Sequence, residues 1–314
     1  MPTAHGAPFT TYASDGYPIS GFVWRQAHPP ASPPGQIAAR ASVIICAATS
    51  VRCRYYFRFA QYLYELGRDV VVFDYRGIGE SRPARMRGFN ANWRHWGERD
   101  FDAVLRYTLS AFENQPVDVV AHSFGGCAAG LAAQGHRIRR MVTVGAQFAY
   151  WRDYAAHERL RMLLKWHVVM PVLTAALGYF PGRRLGWLED TPAGVVRDWT
   201  APAATFGALP SMRRGARDVE TGFARLKMDL LAISLTDDEY GTPAAIARLL
   251  SLHTGARITH LRVAPADLGL TEVGHFAFFH ARHQPDLWPI AAHWLAHAAL
   301  PGDVPGQVLP TAQG

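Results

Sequence analysis

The chain is short of cysteine, of like-charge blocks and of long apolar runs, and each shortage excludes something. Cys46, Cys53 and Cys127 are its only cysteines. They are odd in number and scattered, with neither the paired spacing of a zinc site nor a disulfide framework. Two of them lie among apolar or small residues, where a free thiol acts as a small hydrophobe. A reduced, cytoplasmic protein is therefore expected. The formal charge is +7, but the arginines are dispersed and no nucleic-acid module is present. A solvated basic surface is the expected reading, without a nucleic-acid partner. The N-terminus has no charged start followed by an apolar run, so no secretory signal is expected. The most apolar long stretch, His167 to Phe180, is too short to span a bilayer and contains Pro171; it reads as a buried or interfacial helix, without stable membrane insertion. No Gly-x-Gly-x-x-Gly follows the first strand run, which disfavours a dinucleotide cofactor. No internal repeat is found.

What is present is a globular composition, 49% hydrophobic and 18% charged, over 314 residues, enough for one large α/β core carrying an insertion. The opening FTTYASDGYPISGFVW reads as two extended runs joined at Asp15-Gly16, a hairpin signal. The proline-rich stretch 28–35 reads as loop, because proline cannot join a strand ladder. Buried-strand runs follow at SVIICA (42–47), DVVVFDY (69–75), VDVVAHS (117–123), IRRMVTVGAQ (138–147), KMDLLAISL (227–235) and ITHLRVA (258–264). Helical spacing separates them, most clearly over Asn90 to Phe112, and a last helix is expected over Leu287 to Leu300. Such alternation predicts a mostly parallel sheet flanked by helices. It stops between residues 148 and 223, a stretch rich in tryptophan, tyrosine, proline and arginine. The expected organisation is thus a core of residues 1–147 and 224–314, covered by a mainly helical cap of 148–223. The tail after Leu300 is expected to be loose.

The chemistry begins at AHSFGG (121–126). A buried strand enters it and a helix of small residues leaves it, the context of a nucleophile elbow. The sharp turn that projects the Ser123 hydroxyl crowds strand against helix, so only small residues fit two positions either side. Ala121 and Gly125 occupy those positions. The same turn directs the Phe124 N–H towards the place where an oxyanion would form. A serine hydroxyl needs a base to take its proton, and His275 in EVGHFAFFH lies where one is required, after the last strand and beside a glycine. His122 adjoins the nucleophile but faces the other way, so a structural role is expected. The acid that would fix the tautomer of His275 is Asp238, with Asp237 as the alternative one residue away. The pairs His280/His283 and His293/His297 lack partnering ligands, so no metal is expected.

The order Ser123, Asp238, His275 resembles that of the α/β-hydrolase superfamily. The resemblance runs from about Phe9 to about Ala299. It is nearest to predicted bacterial serine hydrolases related to serine aminopeptidases, lipases and esterases. YASDG, DYRGIGES (74–81), GYFPGRRLG (178–186) and GHFAFF (274–279) are further matching segments. The resemblance implies an α/β-hydrolase fold that cleaves a carboxylic ester, or a thioester or amide, through an acyl-enzyme on Ser123 without a cofactor. Members often carry His-Gly after the third strand, where a backbone N–H completes the oxyanion hole. This chain has CAATS (46–50) instead, and by position Ala48 would donate, with the next one or two residues as alternatives. An acyltransferase of the homoserine-acetyltransferase type and a non-catalytic ligand-binding protein are the competing readings. From the insertion, Tyr150, Trp151 and Trp166 are expected to line the substrate pocket. The oligomeric state stays open, a homodimer included.

Overall fold

A computed structural model describes residues 6–27, 41–148 and 150–311; the proline-rich stretch 28–35 lies outside them. The strands are β1 (Ala7–Tyr12), β2 (Pro18–Trp24), β3 (Ser42–Cys46), β4 (Asp69–Phe73), β5 (Val117–His122), β6 (Ile138–Val144), β7 (Tyr179–Phe180), β8 (Thr191–Pro192), β9 (Asp229–Leu235), β10 (Arg257–Val263) and β11 (Gln307–Leu309). Nine form one sheet in the order β1-β2-β4-β3-β5-β6-β9-β10-β11, and β7 pairs with β8. From β4 to β10 every neighbouring pair is parallel. The edges are antiparallel: the expected β1–β2 hairpin on one side, β11 on the other. This is an α/β-hydrolase fold. Its central strands are wholly buried, as continuous apolar runs require when helices cover both faces.

Strand order reverses around β3: β4 lies on one side of it and β5 on the other. Crevices form at the carboxyl ends of strands at such a switch point. The loops after β3, β5, β6 and β9 all open there, and the insertion leaves the core between β6 and β9. Its long helix, Arg159–Leu177, contains a π turn over Leu163–Val169. The expected helix over Asn90 to Phe112 runs over 93–111, again with a π turn at Trp96–Phe101.

Two expectations need correction. The tail is not wholly loose, because β11 pairs with Arg262, Leu261 and His260 of β10. An outer strand presents a row of unpaired backbone groups, and the returning chain satisfies them. The insertion, moreover, does not cover the core over its full length. Its last helix, Ala216–Ala224, lies beside the helix Gly125–Leu131, with Phe223 packed on Gly130. That helix belongs to the layer flanking the sheet.

The segments YASDG and DYRGIGES hold the N-terminal half together. Asp15 of YASDG pairs with Arg76 of DYRGIGES at 2.6 Å, and Arg76 reaches Asp100 at 2.6 Å. Asp74 accepts the Cys53 N–H at 2.6 Å and the Glu80 N–H at 2.9 Å, tying the segment after β3 to the turn after β4.

Candidate active site

Ser123 follows β5 with φ +52°, in the left-handed region that a serine occupies only under constraint. Its N–H donates to Val144 O at 3.0 Å, and Gly126 N–H donates back to Ser123 O at 3.0 Å. The turn is possible only because its flank is small. A methyl group on Gly125 would sit 2.5 Å from Cys46 O, on the neighbouring strand. Ser123 Oγ has no hydrogen-bond partner among the described residues, and the residue is 8% exposed at the floor of a cavity.

His275 lies on the wall of the same cavity. Its Nδ1 meets Asp238 Oδ2 at 2.7 Å, and both residues are buried. Asp238 Oδ1 accepts the N–H groups of Tyr240 (2.9 Å) and Gly241 (2.8 Å). Burial alone would raise the Asp238 carboxyl, but the charge and hydrogen bond of His275 and those two N–H groups outweigh it. The net effect holds it below the usual carboxylate range. Gly145, with φ +55°, lies beneath this pair. A side chain there would come within 2.8 Å of Asp238 Oδ2 and 3.1 Å of His275 Nδ1.

Asp237, the alternative acid, points elsewhere. Its Oδ2 accepts the N–H groups of Val273 (2.7 Å) and Gly274 (2.9 Å), so it holds the loop that carries His275. The two neighbouring aspartates thus have separate tasks, one gripping the imidazole and the other its backbone.

His122 is fully buried behind Ser123. Its Nε2 donates to His275 O at 2.9 Å, and its Nδ1 accepts from Tyr56 Oη at 2.8 Å. Burial, with the His275 charge adding to it, pushes His122 down to about 3, so it is neutral and this tautomer is consistent. Tyr56 Oη in turn accepts the Ala48 N–H at 2.9 Å. This corrects the expected donor, because the Ala48 N–H already has an acceptor. The N–H groups of Thr49 and Phe124 have none among the described residues, and both residues line the cavity.

The cavity has a volume of about 310 Å³. Trp93, Phe148, Trp166, Trp187, Trp199 and Phe276 give it an aromatic wall, and Trp166 stacks on Trp199 at 4.9 Å. Tyr150 and Trp151, expected to line it, do not. They sit in the first turn of the insertion, where Arg248 covers Tyr150 at 4.8 Å and Arg152 covers Trp151 at 5.2 Å. Sequence reasoning missed Trp93, Gln147 and Tyr240; nothing in their spacing separates a wall residue from one in the core. Among the described residues, no three His, Cys, Asp or Glu side chains converge as metal ligands would.

Comparison with known proteins agrees with this architecture. In structure the chain is similar to a soluble variant of monoglyceride lipase from Saccharomyces cerevisiae, with TM-score 0.64 and 15% identity over 92% of this chain and 94% of that one. It is also similar to an esterase from Pyrococcus furiosus (TM-score 0.55, 12% identity, 92% and 90% coverage). A puromycin hydrolase matches at TM-score 0.55 and 15% identity, over 98% of this chain and 42% of that one. These identities speak for the fold alone. No curated protein matches the sequence. A family model described as serine aminopeptidase, S33, matches residues 37–265. The chain therefore belongs to the S33 serine aminopeptidase family of α/β hydrolases.

Proposed function

We propose that the protein hydrolyses a carboxylic ester through an acyl-enzyme on Ser123. The observation that carries this reading is the 2.7 Å His275–Asp238 contact on the wall of the cavity whose floor is Ser123. His275 Nε2 takes the Ser123 proton as Oγ attacks the carbonyl carbon, and Asp238 stabilises the imidazolium through Nδ1–H. The negative oxygen of the tetrahedral intermediate is held by the Phe124 N–H and, since Tyr56 occupies Ala48, by the Thr49 N–H. His275 returns the proton to the leaving alcohol. Water, activated by the same imidazole, then releases the acid. An ester of an apolar acid is favoured because Trp93, Phe148, Trp166, Trp187 and Trp199 offer an apolar acyl chain an aromatic wall.

The test is turnover of p-nitrophenyl esters of rising acyl length by the wild type and by Ser123→Ala, with the matching anilides alongside. Ester turnover that disappears in the variant supports the reading. Preference for the anilides, or a variant as active as the wild type, contradicts it.

A further inference from the structure

The helix Arg159–Leu177 of the cap is apolar on two opposite faces, and only one of them has a partner. Met162, Trp166, Met170 and Thr174, four residues apart, turn inward and are buried. Trp166 anchors this face by donating to Tyr240 Oη at 3.0 Å. Leu160, Leu164, Val168 and Val172 run along the opposite face at 79%, 56%, 47% and 62% exposure. The wider π turn at Leu163–Val169 offsets the sideways drift of an i, i+4 series and keeps this row straight. Leu177, the helix's last residue, and Leu185 are exposed as well. An exposed apolar row along a helix marks an interaction site.

We infer that this face docks the protein onto an anionic lipid surface, with the helix lying in the interface rather than crossing it. Crossing is excluded because the inner face is packed on the core. Charge selects the occupant. Lys165, on the same helix, sits over Trp166 (4.4 Å) and Trp187 (4.5 Å) with no carboxylate in salt-bridge range among the described residues, and Arg184 is exposed beside Leu185. Arg161 is already neutralised by Glu158 and Glu239. A second copy would bring the same cationic surplus against its twin, on a chain whose formal charge is +7. An anionic lipid surface accepts both the apolar row and the cations, whose stems can reach up to the headgroups. Lys165 and Trp166 also line the cavity, so the docking helix forms part of its wall. The inference stands apart from the acyl chemistry and survives if the proposed reaction fails.

The test is vesicle co-sedimentation of the full chain and of Leu164→Glu/Val172→Glu. The vesicles are phosphatidylcholine alone or mixed with phosphatidylglycerol. Neither substituted side chain reaches the cavity, so p-nitrophenyl acetate turnover and thermal melting serve as controls for folding. The expected result is binding that favours the mixed vesicles, weakens with salt, and drops at least about tenfold in the double variant. No binding, indifference to headgroup charge, or binding retained by the double variant overturns the inference. So does a dimer, seen by sedimentation velocity, that the double substitution converts to monomer, since that makes a second copy the occupant.

Discussion

Replacing Asp238 by asparagine changes one atom and should cost most of the activity. Oδ1 is held by the N–H groups of Tyr240 and Gly241, so the oxygen of the new amide stays there. Its NH₂ must then face His275 Nδ1, at the 2.7 Å contact now made by a carboxylate oxygen. Nδ1 becomes the acceptor, the ring proton moves to Nε2, and no lone pair is left to take the Ser123 proton. The imidazolium also loses its counter-charge. Such a tautomer reversal lowers kcat by about 10⁴ in serine hydrolysis, or roughly 5 kcal/mol of transition-state stabilisation. KM should change little, because Asp238 lies behind His275 and does not line the cavity. Asp237→Asn is the control. Its carboxylate accepts the Val273 and Gly274 N–H groups, a role an amide oxygen can still fill, so the loss should stay below about tenfold. Initial rates with p-nitrophenyl butyrate across a substrate range measure both variants. Equal losses, or a larger loss at Asp237, would refute the division of labour between the two aspartates.

Three further outcomes follow from the same geometry. Gly125→Ala should lower thermal stability by about 1–3 kcal/mol, read by denaturant melts, because its methyl meets a backbone carbonyl of β3 that cannot move aside. Tyr56→Phe leaves the Ala48 N–H and His122 Nδ1 without partners in a fully buried place. It should destabilise by about 1–3 kcal/mol, with a smaller loss of kcat than the 10²–10³ typical of removing an oxyanion donor. The third outcome concerns pH. His122 is held down to about 3 when folded, whereas an unfolded histidine titrates near about 6.5. Below the unfolded value the unfolded chain binds a proton that the folded one refuses. Stability is therefore complete above about 6.5 and falls as pH drops towards about 3, by up to about 1.4 kcal/mol per unit from this residue. Melting temperature against pH should be flatter over that window in His122→Gln.

The sheet and the elbow were legible because each rests on a local demand. Continuous apolar runs such as DVVVF and VDVVA belong to strands covered on both faces. The small residues around Ser123 reflect how closely β3 approaches at Cys46 O. What local pattern could not carry were the contacts made at a distance. The choice between Asp237 and Asp238 turns on one residue of phase after β9, and either fits the chain order. Tyr56, eight residues after Ala48, takes the N–H that position alone would give to the oxyanion. Aromatic content could not say that Trp166 faces the cavity while Tyr150 and Trp151 lie under arginines. The pairing of β11 depends on the open edge of β10, which nothing in the tail's own sequence announces.

Covalent labelling tests Ser123 as the nucleophile without knowledge of the substrate. The native protein and Ser123→Ala are each treated with a fluorophosphonate, then digested and mapped by mass spectrometry. One phosphonyl adduct is expected, on the peptide carrying Ser123, absent from the variant and prevented by prior unfolding. An adduct on another residue, or a native protein that stays unlabelled while folded, would contradict it.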